Sequence, residues 1–229
     1  MVRDTDKILT RRASLAVVGG LMLLPQMEAV QAAEQPNVQQ IVENLQTLTP
    51  EQEILIKIQE SRVRALSPAE QRRVKEAERI LIDALRSGTI RSFTEEQRIR
   101  TGDIAALKPS IDLEINFDFD SAVINDKAKT LAVDLGLALA NRQLTGTVFL
   151  LGGHTDGRGS HAYNLDLSQR RADAIKSFLV ENYRVPPANL IAMGFGMERL
   201  KNPGNPFAEE NRRVQVVNMS KVVNMSKPE

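Results

Sequence analysis

The spacing of apolar residues changes at Pro109, and this change constrains the fold more than any other feature of the chain. In SIDLEINFDFD, residues 110–120, apolar residues alternate strictly with polar ones. Alternation with a period of two is typical of a strand that buries one face. The sequence therefore predicts that a domain containing a β-sheet begins at residue 109.

The patterns beyond this strand predict two more helices and three more strands. Asn125 can cap a helix that runs to about Asn141, and a second helix is predicted over residues 165–182. Apolar runs predict strands at residues 147–151, 190–193 and 214–217. The order β-α-β-α-β-β predicts an α+β fold, a small mixed β-sheet with helices packed on one face, preceded by a helical arm.

The predicted arm, residues 33–108, has the pattern of helices joined by short linkers. Thr49-Pro-Glu-Gln and Ser67-Pro-Ala-Glu are capping boxes with proline at the first helical position, and Thr94 begins a third such motif. The charged helix faces are expected to be solvated surface. The alternative is that they form a homo-oligomer or bind a protein partner.

Residues 1–32 have the layout of a signal peptide. A basic head precedes the apolar run ASLAVVGGLMLL, and small residues follow it at 30–32. The TRRASL stretch also resembles a twin-arginine motif, so both the general and the twin-arginine export routes remain open. We therefore expect an extracytoplasmic protein.

The predicted domain, residues 109–218, is followed by a short tail, residues 219–229. In this tail the hexapeptide VVNMSK of residues 216–221 is repeated at residues 222–227. Two copies of six residues are too short for a repeat fold, so we interpret the second copy as a slipped duplication.

The composition excludes several classes of function. The chain has no cysteine, which excludes disulfides, a thiolate metal site, a cysteine nucleophile and a lipid anchor on an N-terminal cysteine. Its net charge of +1 gives no field that favours nucleic acid. With 4% aromatic residues and no tryptophan, it also has little material for stacking bases or sugars.

The charged stretch LGGHTDGRGSHAYNLDLSQRRA, residues 151–172, holds the candidate site. It follows a predicted strand, and binding groups often lie on such loops. Arg171 falls on the buried stripe of the following helix and needs a partner there, whereas Arg170 points to solvent. Asn164 lies on nearly the same stripe and Asp156 in the loop before it. The three side chains are therefore predicted to converge.

Four interpretations of this stretch compete. His154, Asp156 and His161 could hold a metal, although the spacing is unlike that of zinc sites. Hydrolysis by Ser168 with a histidine base has little support, since a G-x-S-x-G motif is absent. A clasp for a zwitterion uses the carboxylate, the guanidinium and the amide that are present. An internal Asp156–Arg171 salt bridge explains the residues equally well.

Five ordered motifs carry a resemblance to a known family: FDFDSA at 117–122, GHTD at 153–156, NLDLSQRRA at 164–172, GFGME at 194–198 and NRRV at 211–214. Together they resemble the OmpA-like peptidoglycan-binding domain. The resemblance implies a non-catalytic domain, without metal or cofactor, that binds the diaminopimelate residue of the peptidoglycan peptide stem. It implies that Asp156 holds the ammonium of the ligand and Arg171 its carboxylate.

The same resemblance implies further residues at the site. Asn164, Thr155 and the backbone near Asp120 and Ser121 would line it. Arg212 of the NRR motif would join them, while one arginine of the Arg212–Arg213 pair would support the fold. His154 would brace the loop through a hydrogen bond and would touch no metal.

The resemblance also implies a periplasmic protein associated with the cell wall or outer membrane. The chain departs from the better-known members, because residues 33–108 are too few and too helical for a barrel and no cysteine can carry a lipid. The alternative function is an envelope adaptor whose arm docks a protein partner and whose wall-binding domain serves as an address.

Overall fold

The computed structural model describes residues 35–87, 93–115, 117–118 and 120–220. The predicted signal peptide and the second VVNMSK copy lie outside the described residues. The helices are α1 (Val38–Asn44), α2 (Pro50–Arg64), α3 (Pro68–Arg86), α4 (Glu95–Ala105), α5 (Asp126–Leu139) and α6 (His161–Tyr183). The strands are β1 (Ser110–Leu113), β2 (Phe149–His154), β3 (Leu190–Gly196) and β4 (Val214–Asn218).

The four strands form one mixed sheet in the order β1-β4-β2-β3. Strand β4 pairs antiparallel with both β1 and β2, while β2 pairs parallel with β3. Helix α6 makes the connection between the two parallel strands, as a parallel pair requires. The predicted α+β class and the β-α-β-α-β-β order are confirmed.

Several predicted boundaries differ in the structure. Strand β1 ends at Leu113, well before the alternation stops, and the chain beyond it turns as the N–H of Ile115 donates to the Leu113 carbonyl at 2.8 Å. Strand β2 continues to His154. Helix α6 begins four residues early because Ser160 caps it, its hydroxyl accepting from the Tyr163 N–H at 3.2 Å.

The predicted domain helices α5 and α6 lie on one face of the sheet, but helices of the predicted arm cover the other face as well. On one face α5 and α6 are joined by α1, whose Ile41, Val42 and Leu45 are fully buried in the main core. On the other face α3 and α4 contribute Leu85 and Ala105 to a smaller apolar cluster. The helices that precede Pro109 therefore pack on the sheet themselves.

The capping boxes predicted at Thr49, Ser67 and Thr94 are all formed, each with its third helical residue returning a hydrogen bond. Asn37 forms a fourth with Gln40. Within the described ranges, no helix combines the length and the apolar character that a membrane crossing requires.

Candidate ligand-binding site

The topology brings four chain segments together at one edge of the sheet. Strand β2 ends at His154, and its neighbour β4 begins there because the pair is antiparallel, with Gly153 opposite Val214. Strand β1 ends at the same edge, with Leu113 opposite Val214. The N-terminal half of α6 completes the edge, so side chains distant in sequence can share one cleft.

Asp156 lies just past the end of β2 and is 7% exposed. Its Oδ1 accepts from the backbone N–H of Arg158 at 3.0 Å, and its Oδ2 accepts from Nη1 of Arg212 at 3.0 Å. The Arg158 guanidinium lies further off, with Nη1 at 3.7 Å from Oδ2. The carboxylate is thus held by its loop and balanced by cations on two sides.

Arg171 points inward from α6, as its helical position predicts, and is 9% exposed. Its Nε donates to the carbonyl of Ser121 at 3.0 Å and its Nη2 to the carbonyl of Asp118 at 3.3 Å. The guanidinium also lies 5.0 Å from the centre of the Phe117 ring. These contacts fix the arginine against residues 117–118 and Ser121.

The ion partners of Asp156 are Arg212 and, at the longer distance, Arg158, whereas Arg171 is held by carbonyls. Burial is the largest influence on Arg171 and lowers its pKa. The nearby cations Arg212 and Arg170 lower it further, while Tyr163 and Asp156 oppose the shift. These charges therefore lie close enough to influence one another, and an arginine remains a cation at neutral pH.

Asn164 and Thr155 lie beside the two charged groups and are 2% and 3% exposed. The amide nitrogen of Asn164 donates to the Arg158 carbonyl at 2.8 Å, which braces the loop that carries Asp156. The backbone N–H of Thr155 donates to the Gly196 carbonyl at 2.9 Å. Its buried hydroxyl meets no hydrogen-bond partner within the described part of the chain.

Asp120 and Ser121 form the opposite wall. Asp120 has a left-handed backbone, φ 50°, which is uncommon outside glycine and recurs at ligand sites. Its carboxylate accepts from the Tyr163 hydroxyl at 2.9 Å. Ser121 offers its carbonyl to Arg171, and its hydroxyl accepts from the Val123 N–H at 3.0 Å.

The adjacent arginines of the NRR motif separate into two environments. Arg212 remains a third exposed and joins Asp156 to Glu209, with both contacts at 3.0 Å. The Arg213 side chain is 6% exposed and donates to Asp112 at 3.0 Å and to the Arg199 carbonyl at 3.3 Å. Arg213 therefore supports the fold, and Arg212 faces the cleft.

The two histidines of the charged stretch lie in different environments. His154 is 2% exposed and its ring stacks on Phe195, with centres 5.2 Å apart. Burial, the largest cause, lowers the pKa of His154 well below its ordinary value, and the cations Arg213 and Arg199 add to the effect. His161 instead contacts Glu198 at 2.7 Å. Within the described ranges, no three His, Asp or Glu side chains gather as metal ligands.

The sequence reasoning missed four residues at this edge: Arg158, Tyr163, Phe117 and Phe207. Tyr163 could have been found, since it begins the same helix one position before Asn164. Arg158 and Phe207 lie on separate loops, where no periodicity predicts the direction of a side chain. Phe207 belongs to a segment, residues 202–211, that only the fold brings to the cleft.

The fold and this edge define an α+β domain with a charged cleft at the end of its sheet. Residues 116–213 match the sequence model of the OmpA family, which confirms the resemblance seen in the motifs.

Curated relatives match the same half of the chain. Outer membrane porin F of Pseudomonas fluorescens is 36% identical over 107 residues, covering 46% of this chain and 32% of that protein. The peptidoglycan-associated lipoprotein of Pseudomonas putida is 33% identical over 102 residues, covering 44% of this chain and 59% of that protein. The chain thus spans less than two thirds of the length of either relative.

Among solved structures, the peptidoglycan-associated lipoprotein from Burkholderia pseudomallei is 28% identical, with a TM-score of 0.38. The alignment covers 48% of this chain and 86% of that chain.

Proposed function

We propose that this protein binds peptidoglycan in the cell envelope without catalysis, and that its cleft takes the diaminopimelate residue of the peptide stem. The observation that carries the proposal is the arrangement of Asp156 and Arg171. They are buried opposite charges at one sheet edge, and each is held by groups other than its counterpart. An amino acid with an ammonium and a carboxylate matches this pair.

Asp156 is suited to an ammonium. A carboxylate offers about four lone-pair sites, and Asp156 uses two of them in hydrogen bonds at 3.0 Å. The neighbouring cation Arg212 is partly neutralised by Glu209, which contacts its second nitrogen at 3.0 Å. An ammonium that joins Asp156 therefore meets an Arg212 whose charge is already partly compensated.

Arg171 is suited to a carboxylate. Its Nε and Nη2 are tethered, while Nη1 makes no hydrogen bond to any residue that the structure describes. A guanidinium fixed in advance loses little rotamer freedom on binding. In the proposed complex Asn164 and Thr155 add polar contacts, and the Asp120–Ser121 backbone closes the opposite wall.

Pelleting with isolated sacculi tests the proposal. Asp156→Asn keeps the shape of the side chain but removes its charge. Arg171→Lys keeps the charge but replaces the planar guanidinium, which can bind a carboxylate through two parallel hydrogen bonds, by an ammonium. Charge-assisted hydrogen bonds contribute about 1.5–3 kcal/mol each, so each variant is expected to bind roughly ten- to a hundredfold more weakly. The measurement is the fraction of purified protein that sediments across a titration of sacculi.

Arg170→Ala is the matched control, because Arg170 is the adjacent arginine and contacts the exposed carboxylates of Asp166 and Asp120. It should pellet like the unmodified protein. Since Arg171 also tethers segment 117–121, thermal unfolding must be recorded for each variant. Folded Asp156→Asn and Arg171→Lys proteins that sediment as well as the parent would refute the clasp.

A second candidate function is that of an envelope adaptor whose arm docks a protein. It is favoured by the surface of α2, where Ile54, Leu55 and Ile58 are 58%, 46% and 47% exposed. Clustered exposed apolar side chains mark protein contacts more often than scattered ones. In this proposal the cleft holds the protein at the wall, and α2 receives the partner or a second copy.

Substitution of Ile54 and Ile58 by Ser tests the adaptor. The double variant should keep its unfolding temperature and its sedimentation with sacculi, because both side chains are exposed and lie on α2. In intact cells it should no longer crosslink to the proteins that crosslink to the parent. Any self-association of the parent, measured by analytical ultracentrifugation, should also be absent in the variant. An unchanged crosslinking pattern and an unchanged sedimentation coefficient would reject the adaptor.

A further inference from the structure

The exposed aromatic side chains of the described residues both lie at the cleft. Tyr163 is 38% exposed and bonds to Asp120, and Phe207 is 54% exposed on the opposite side. The guanidinium carbon of Arg158 lies 5.7 Å from the centre of the Phe207 ring. The Arg158 side chain is itself 67% exposed. We call the side chains of Arg158 and Phe207 together the Arg158–Phe207 shelf.

The loop that presents Phe207 is held rigidly. Asn211 is fully buried beneath it, and its amide nitrogen donates to the carbonyls of Asn205 and Pro206 at 3.0 and 3.1 Å. Its amide oxygen accepts from the backbone N–H of Asn202 at 2.8 Å. The exposure of Phe207 is therefore built into the loop by buried hydrogen bonds.

The shelf is also fixed relative to Asp156. The backbone N–H of Arg158 donates to Asp156, and its carbonyl accepts from Asn164. The N–H of the preceding Gly157 donates to the Pro206 carbonyl at 2.8 Å, which joins the two loops. The shelf thus continues the cleft at a set distance beyond the carboxylate.

We propose that the Arg158–Phe207 shelf is a second subsite, which binds the stem residue adjoining the diaminopimelate. This inference rests on the function proposed above. The exposed guanidinium of Arg158 suits a carboxylate, and the exposed part of the Phe207 ring suits a small apolar group. One residue that carries both is an alanine with a free terminal carboxylate.

Calorimetry with four stem peptides tests the subsite. The first ends at diaminopimelate, the second adds alanine, the third adds glycine, and the fourth adds alanine with an amidated terminus. The full protein is expected to bind the alanine peptide about five- to twentyfold more tightly than the shortest one, because the extension gains one charged contact and one apolar contact. The glycine and amide peptides should each lose part of that gain.

Two variants assign the two contacts. Phe207→Ala should lose the preference for alanine over glycine and bind the shortest peptide as the parent does. Arg158→Ala should lose the preference for the acid over the amide. Leu137→Ala, a half-exposed apolar residue on α5, and Arg142→Ala, an exposed arginine, are matched controls that should keep both preferences.

The outcomes separate the subsite from the clasp. If the parent binds the shortest peptide and gains nothing from alanine, the subsite is refuted and the clasp stands. The subsite is also refuted if both shelf variants keep the preferences of the parent. If no peptide binds at all, the proposed function fails together with the inference that rests on it.

Discussion

At the residue scale, helical geometry predicts the direction of the side chains in one pair of adjacent arginines but not in the other. Arg171 shares a stripe with buried apolar residues and Arg170 does not, so the sequence alone predicts that one faces inward and the other faces solvent. Arg212 and Arg213 stand at the start of a strand after a loop, where no such stripe exists. Their environments depend on Asp156 and Asp112, which only the fold brings near.

His154 makes a residue-scale prediction about pH. Burial lowers the pKa of the folded imidazole well below 6.5, so the folded ring stays neutral where the unfolded chain takes up a proton. The contribution of the neutral imidazole to the free energy of unfolding is complete above about pH 6.5. It is lost as the pH falls toward the folded pKa, by at most about 1.4 kcal/mol per pH unit. The free energy of unfolding should therefore drop between pH 7.5 and 5.5.

Carboxylates also titrate at lower pH, so the test is a difference between two proteins. His154→Phe keeps an aromatic ring against Phe195 and removes the titration. Urea unfolding at both pH values should give a smaller loss of stability for the variant than for the parent. Parallel losses in the two proteins would mean that the buried imidazole does not carry the effect.

At the element scale, local signals predicted where helices begin better than where strands end. The capping boxes marked the starts of α2, α3 and α4, because a capping box is a contact between residues three apart. Beyond the end of β1, Arg171 on α6 binds the carbonyls of Asp118 and Ser121, a contact from a distant part of the chain. Alternation in the sequence continues past that point and overpredicts the strand.

Helix α6 approaches the sheet closely because two glycines make room for it. A Cβ at Gly153 of β2 would collide with the Ser168 carbonyl, and one at Gly194 of β3 would meet the backbone of Gln169. The Ser168 hydroxyl bridges helix and sheet by accepting from the Gly196 N–H at 2.8 Å. Because α6 carries Arg171, this close packing also fixes where the Arg171 side chain lies relative to the strand ends.

At the scale of the whole molecule, the helices before Pro109 belong to the core. The capping motifs of α2, α3 and α4 were visible in the sequence, but a capping motif does not identify the surface that its helix covers. Helix α1 packs with α5 in the main core, and α3 and α4 cover the other face of the sheet. Further contacts join these helices to the rest of the fold. Arg199, next to Glu198 at the cleft, donates a hydrogen bond to Asp103 of α4 at 2.6 Å.

This arrangement predicts that residues 109–229 alone are much less stable than residues 35–229. Removing α1 uncovers the space filled by Ile41, Val42 and Leu45, each fully buried and each worth about 1.5–3 kcal/mol. It also removes the hydrogen bond from the Asn218 amide to the Leu45 carbonyl at 2.9 Å. The loss is comparable to the whole stability of an ordinary domain, about 5–15 kcal/mol.

Urea unfolding of the two fragments measures the difference, and size-exclusion chromatography reports whether the shorter one aggregates. Ile41→Ser in the longer fragment gives an intermediate case, because it disturbs the same core while keeping every helix. We expect the shorter fragment to lose its cooperative transition, and Ile41→Ser to shift the transition to lower urea. Equal midpoints for both fragments would show that the arm is dispensable, and the cleft would then be a property of residues 109–220 alone.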